Sequence, residues 1–139
     1  MSRQRSKARR LAVQAIYQWQ VAGQEPDSIV AQFAAEHTNK TVDFEYFSDL
    51  FQGVITNLEK LDGCLRPQLD RAILSVDPVE RAILRLATYE FLERLEVPYK
   101  VVINEAVELA KTFGAEQGRR YVNGVLDKTA NVMRTLEIA

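Results

Sequence analysis

The sequence predicts an all-α fold of about seven helices in a single domain over residues 1–139. Three observations carry that prediction. Apolar residues recur at intervals of three and four along most of the chain, the period of a helix with one buried face. Residues that start and stop helices punctuate those stretches. No run of alternating apolar and polar residues meets turn signals in the manner of a strand, and no interior stretch is long enough to link two domains.

The first helix runs to about Ala22, with Ala8, Leu11, Ala12, Ala15, Ile16 and Trp19 as its apolar stripe. At about 100° per residue, Lys7, Arg10, Gln14 and Tyr17 share the opposite face, joined by Arg3 if the helix starts that early. Arg5 and Arg9 project toward the stripe or its flank, so the segment before Ser6 is expected to fray or extend. Glu25-Pro26-Asp27-Ser28 reads as a turn and N-cap. Ile29, Val30, Phe33 and Ala34 then mark a second helix ending near His37, followed by a polar loop from Thr38 to Thr41. A third helix begins around Asp43 and buries Phe44, Phe47, Leu50, Phe51, Val54, Ile55 and Leu58. Gly53 within it costs about 1 kcal/mol relative to Ala, which points to close helix packing there.

Asp62-Gly63 is expected to interrupt the pattern, with Leu61, Leu65 and Leu69 suggesting a short fourth helix that has Pro67 in its early turns. Asp77-Pro78-Val79-Glu80 is a clearer start, with an N-cap Asp, Pro at N1 and Glu at N3. In the fifth helix Val79, Ala82, Ile83, Leu86 and Ala87 define one face, while Leu84 and Phe91 broaden it, so this helix is expected to be central. Pro98 opens a sixth, carrying Val102, Ile103, Ala106, Val107, Ala110 and Phe113 and closed by Gly114 as a C′ residue. The seventh spans about Glu116 to Asn131, with Tyr121, Val122, Val125 and Leu126 inward and Arg119 and Arg120 in its first turn. Tyr46, Phe47, Tyr89 and Tyr99 read as core aromatics.

Composition narrows the function classes. Apolar residues make up 47% and charged residues 27%, a globular balance, and no apolar run approaches the roughly 20 residues of a membrane span. Gln14, Gln18 and Gln20 break up any signal-peptide pattern after the basic start. The lone Cys64 excludes an internal disulfide and fits a reducing cytoplasm. His37 is the single histidine, and neither it nor Cys64 has a ligand partner at metal-site spacing. No phosphate-loop, dinucleotide or nucleophile-elbow pattern is present. Glu90, Glu93, Glu105 and Glu108 offer carboxylates for a pair, but at helical spacing they read as surface charge. These residues lead to the expectation of no metal, no cofactor and no active site.

Charge is distributed unevenly. Eighteen Lys and Arg face nineteen Asp and Glu, yet five of the bases, Arg3, Arg5, Lys7, Arg9 and Arg10, fall in the first ten residues, and no acid precedes Glu25. The remainder therefore holds thirteen bases against nineteen acids, a net charge of −6. Exposed cations at a helix N-terminus oppose the macrodipole by roughly 0.3–1 kcal/mol each. A polyanion reverses that balance, because phosphates meet both the side chains and the free N–H groups of the first turn. A solvated tail is the alternative reading of the same run.

The segments AVQAIYQWQ, DFEYFSDLFQGV, VERAILRLATYE, VPYKVVINEAVELAKTFGAE and YVNGVLDK, preceded by the arginine-rich start, resemble the NusB family of bacterial transcription antitermination factors in order and spacing over nearly the whole chain. The resemblance implies two packed three-helix bundles. It implies a heterodimer with the ribosomal protein NusE that recognises single-stranded boxA RNA in ribosomal RNA operon transcripts, joining RNA polymerase and other Nus factors in an antitermination complex. The arginine-rich RNA-binding start maps onto Arg3, Arg5, Lys7, Arg9 and Arg10, with Gln14 and Tyr17 on the same helix. The FGAE block and the turn after it bring Phe113, Gln117, Arg119 and Arg120 to a second RNA surface, where the sequence departs in detail from the family, Gly118 and the two adjacent arginines making a flexible, strongly basic turn. Glu80 and Arg81 fall where the NusE-facing helix begins. Tyr17 and Phe113 also suit core positions, and Glu80 its capping box. The free chain is compatible with a monomer or a homodimer. Two rival readings are a regulatory RNA-binding module like that preceding some ribosomal RNA methyltransferases, which predicts an appended catalytic domain, and a helical protein adaptor whose basic end is incidental.

Overall fold

The structure is a computed structural model that describes residues 2–37, 41–114 and 116–138. Its helices are α1 (Arg3–Ala22), α2 (Pro26–Glu36), α3 (Phe44–Thr56), α4 (Leu58–Leu65), α5 (Pro78–Glu93), α6 (Tyr99–Phe113), α7 (Glu116–Met133) and α8 (Thr135–Ile138), with single 3-10 turns at Arg66–Gln68 and Ile73–Ser75. No strand occurs among the described residues. Helices α1, α2 and α3 pack on one another as a first three-helix bundle, and α5, α6 and α7 form a second. Helix α5 joins the two by also contacting α1, α3 and α4.

Local chemistry explains most of the boundaries. The Ser2 side chain accepts the Arg5 N–H at 3.2 Å and caps α1, so the segment before Ser6 is helical rather than frayed. Gly23 ends the helix at φ 67°, a left-handed conformation that suits glycine, and returns its N–H to Trp19 O. Pro26, Asp27 and Ser28 form the first turn of α2 instead of a separate turn, because Pro is preorganised for that place. Asp43 caps α3 through the Tyr46 N–H at 3.0 Å. Asp77 accepts from the N–H groups of Val79 and Glu80 and caps α5.

Several expectations are corrected. Asn57 interrupts the third stripe, bonding Gly53 O through both its N–H and its side-chain amide, so Leu58 belongs to α4. Asp62-Gly63 breaks nothing: both residues lie inside α4, where Asp62 is held by a bidentate pair with Arg85 at 2.9 Å. Pro67 sits in the 3-10 turn after α4. Gly114 closes α6 with its N–H on Ala110 O at 2.8 Å, but in an extended conformation rather than a left-handed one. Gly118 is a buried residue of α7 rather than a flexible turn. A Cβ there would lie 2.7 Å from the Glu80 carboxylate, so its small size serves close approach. The expected loop at residues 38–40 lies outside the described residues.

The central role of α5 is borne out, since every residue from 81 to 91 is buried. The close approach expected at Gly53 is also present: a Cβ there would fall 2.2 Å from the Tyr89 ring, whose hydroxyl donates to Asp49. At the far end of α5, Arg134 donates to the carbonyls of Glu90, Phe91, Arg94 and Val97. One guanidinium thus satisfies acceptors that the last turn of a helix leaves open, and it docks α8 there.

Candidate nucleic-acid interface

The basic run of α1 is divided by the bundle into inward and outward groups. Helix α1 packs against α2, α3 and α5 along its apolar stripe. Its first turns therefore meet whatever charge α5 and α6 present. Arg9 is 2% exposed and donates to both carboxylate oxygens of Glu90 at 2.9–3.1 Å and to Glu105 at 2.8 Å. Glu90 also accepts the Tyr46 hydroxyl, and Glu105 accepts that of Ser6. Burial and the Glu90 charge push the Tyr46 phenol far above its ordinary value, so it stays neutral. Arg9, expected among the phosphate-binding bases, is a core residue because α5 and α6 carry carboxylates opposite it. Glu90 and Glu105, expected as surface charge, are its buried and part-buried partners for the same reason.

Arg5 is drawn partly inward as well. Its guanidinium lies 4.2 Å from the Tyr46 ring centroid, 3.4 Å from Glu96 and 3.9 Å from Asp43. Arg94 shares the Tyr46 ring and Glu96. Arg5 thus belongs to a surface network in which two guanidiniums face Asp43, Asp49 and Glu96.

The outward face matches the helical projection. Arg3, Arg10, Gln14 and Tyr17 are exposed and Lys7 is half-buried. Lys7 and Arg10 form no ion pair among the described residues, and Gln14 donates to Arg10 O at 3.3 Å. A cleft of about 290 Å³ runs beside Lys7, Arg10, Gln14 and His37. Gln14 and His37 also line a larger groove of about 700 Å³. Tyr17, 40% exposed, forms one side of that groove and Phe33 of α2 and Phe113 of α6 line others. The groove therefore unites Tyr17 with Phe113, two candidates almost a hundred residues apart.

His37, Gln18 and Gln32 line the groove and were missed by sequence reasoning. Gln18 had a legible signal, standing one turn beyond Gln14 on the same face. It donates to Gln24 and Gln32, making a rim of amides. His37 had none, since it is the residue that ends α2 and its place follows from stacking on Phe33 at 5.8 Å.

The remaining candidates scatter. Gln117 and Arg120 are exposed and Arg119 is half-buried, all in the first turns of α7. Arg81 is 9% exposed and donates to the carbonyls of Leu74 and Val76, so it ties down the segment before α5 and offers little surface to a partner. Glu80 is half-buried against Gly118, and burial, then Asp77, raises its carboxyl above the ordinary value. Among the described residues no group of His, Cys, Asp and Glu could hold a metal ion, and no helix is long and apolar enough to cross a membrane.

Known proteins share this architecture. The model of the NusB family matches residues 6–131. The transcription antitermination proteins NusB of Xanthomonas oryzae pv. oryzae and Xanthomonas campestris pv. campestris are each 53% identical over 133 residues, spanning 96% of this chain and 85% and 84% of theirs. A crystal form of T. maritima NusB superposes with a TM-score of 0.83 at 29% identity, covering 94% of this chain and 93% of that one. A complex of antitermination factors NusB and NusE with double-stranded RNA gives 0.85 at 28% identity, covering 95% and 99%.

Proposed function

This chain belongs to the NusB family of transcription antitermination proteins, and from that premise we propose that it binds single-stranded boxA RNA of ribosomal RNA operon transcripts as a heterodimer with the ribosomal protein NusE. The pair joins RNA polymerase and other Nus factors in the cytoplasm, and the chain acts by binding, with no reaction of its own. The observation that carries the reading is the outward face of α1, where Lys7 and Arg10 stand free of ion pairs among the described residues and lead into a groove beside Tyr17 and Phe113. Cations hold phosphates without regard to sequence, and unstacked bases find aromatic faces to lie against. The RNA contacts are Arg3, Lys7, Arg10, Gln14 and Tyr17, with Phe113, Gln117, Arg119 and Arg120 extending the surface. Arg5 contributes at its edge, and Arg9 acts from beneath by fixing α1. Glu80, at the start of α5, is the NusE contact.

The test is filter binding of boxA RNA and a scrambled sequence, with and without NusE. NusE should raise affinity and discrimination together, and boxA RNA should tighten the protein pair by the same factor, since coupling is reciprocal. Equal affinity for the two RNAs in the presence of NusE would overturn the reading.

A further inference from the structure

Arg10 lines two clefts of similar size, one of which carries carboxylates and one of which does not. On the α2 side, the cleft of about 290 Å³ offers donors from Lys7, Arg10, Gln14 and His37, and no carboxylate lines it among the described residues. On the α6 side, a cleft of about 250 Å³ is lined by Glu105 and Glu108 along with Arg9 and Arg10. Arg9 is already engaged there by Glu90 and Glu105. Arg9 is therefore shared between two carboxylates, and Glu105, the one that lines the cleft, keeps part of its negative charge toward it. Glu108 adds a second acid at the rim, its charge shared with Lys111 at 3.6 Å. Repulsion in a half-enclosed cleft is screened less than on open surface.

Resting on the RNA reading above, we propose that the phosphate backbone runs through the α1/α2 cleft with His37 as a further ligand, and that Glu105 and Glu108 bar it from the α1/α6 cleft. The imidazole of His37 carries a ring N–H that a phosphate oxygen accepts. Its stacking on Phe33 holds the ring at the junction of the cleft and the larger groove. The acids then define which side of α1 the strand follows, a property that the number of bases alone does not confer.

The experiment measures boxA RNA binding by the full chain with NusE across a salt series, for the wild type, His37→Ala, Glu108→Gln and Arg10→Gln. Glu59→Gln, an exposed site on α4, controls for the change in net charge. His37→Ala should weaken binding about tenfold, the loss of one hydrogen bond to a charged group. Glu108→Gln should tighten binding beyond the Glu59→Gln control and steepen the logarithmic salt slope by about 0.7, because the α1/α6 cleft then admits one more phosphate, met by the released Lys111. If Arg10→Gln weakens binding while His37→Ala and Glu108→Gln behave like the control, the path is overturned and the RNA reading stands. If the wild type fails to bind RNA, both fall.

Discussion

Arg9 and Arg10 are neighbours on α1 with the same charge, and the bundle sends them to opposite environments. Arg9 is enclosed by Glu90, Glu105 and the Tyr46 ring, whereas Arg10 looks into two open clefts. A rotation of about 100° separates them along the helix. The comparison teaches that a run of bases is no unit of function. Each guanidinium takes the role set by what faces it, and the enclosed one holds the helix in place while the open one meets the ligand.

The largest effect that would break this comparison is on the enclosed side. Glu90→Ala leaves Arg9 buried without its bidentate partner, and urea unfolding should show a loss of about 3–5 kcal/mol. A cost under about 1 kcal/mol would mean that Arg9 swings out to solvent and behaves like Arg10. Replacing Arg9 and Glu90 together by apolar residues should cost less than removing Glu90 alone, since the carboxylate then left without its cation, Glu105, keeps the Ser6 hydroxyl and reaches solvent.

Next comes a test of the same seam without charge. Gly53→Ala drives a methyl group into the Tyr89 ring, whose hydroxyl is fixed on Asp49, and should destabilise the α3/α5 packing by about 1–3 kcal/mol. Adding Tyr89→Phe frees the ring to move and should recover part of that loss in thermal unfolding. No recovery would show that the hydroxyl bond is not what holds the ring.

On the open side, Arg10→Gln should leave stability within about 0.5 kcal/mol, as for a surface substitution. The salt dependence of boxA RNA binding should flatten by about 0.7 for each phosphate that Arg10 neutralises. Arg9→Gln tested in parallel sharpens the contrast: it should lower the melting temperature and, in the molecules still folded, leave the slope unchanged. A flattened slope for Arg9→Gln would place it among the phosphate-binding bases after all.

The smallest effect concerns pH. The Tyr99 N–H, at 2.7 Å, and then Arg134 hold the Glu137 carboxyl below its ordinary value. A carboxylate depressed in the folded state contributes stability that is present above the unfolded value and lost as pH falls through the folded one. The melting-temperature gap between wild type and Glu137→Gln should therefore be small at neutral pH and close on acidification below about pH 4. A gap that widens toward acid would reverse the assigned sign.

Local features were legible in the order of the residues. Apolar spacing marked the helices and the buried stripes of α1, α3 and α5, and Asp43 and Asp77-Pro78 set starts that form within a turn of themselves. The same periodicity put Lys7, Arg10, Gln14 and Tyr17 on one outward face. Tertiary structure decided whatever depends on partners distant in the chain. Arg9 meets Glu90 and Glu105 across 81 and 96 residues, Asp62 is rescued inside α4 by Arg85, and Arg134 finishes α5 from 40 to 44 residues away. The groove that joins Tyr17 to Phe113, and the His37 ring between its two parts, exist because α2 and α6 pack on either side of α1's exposed edge. Helical period fixes the direction in which a side chain leaves its own axis. What it then meets is set by the placement of the other helices, which the bundle's packing as a whole determines.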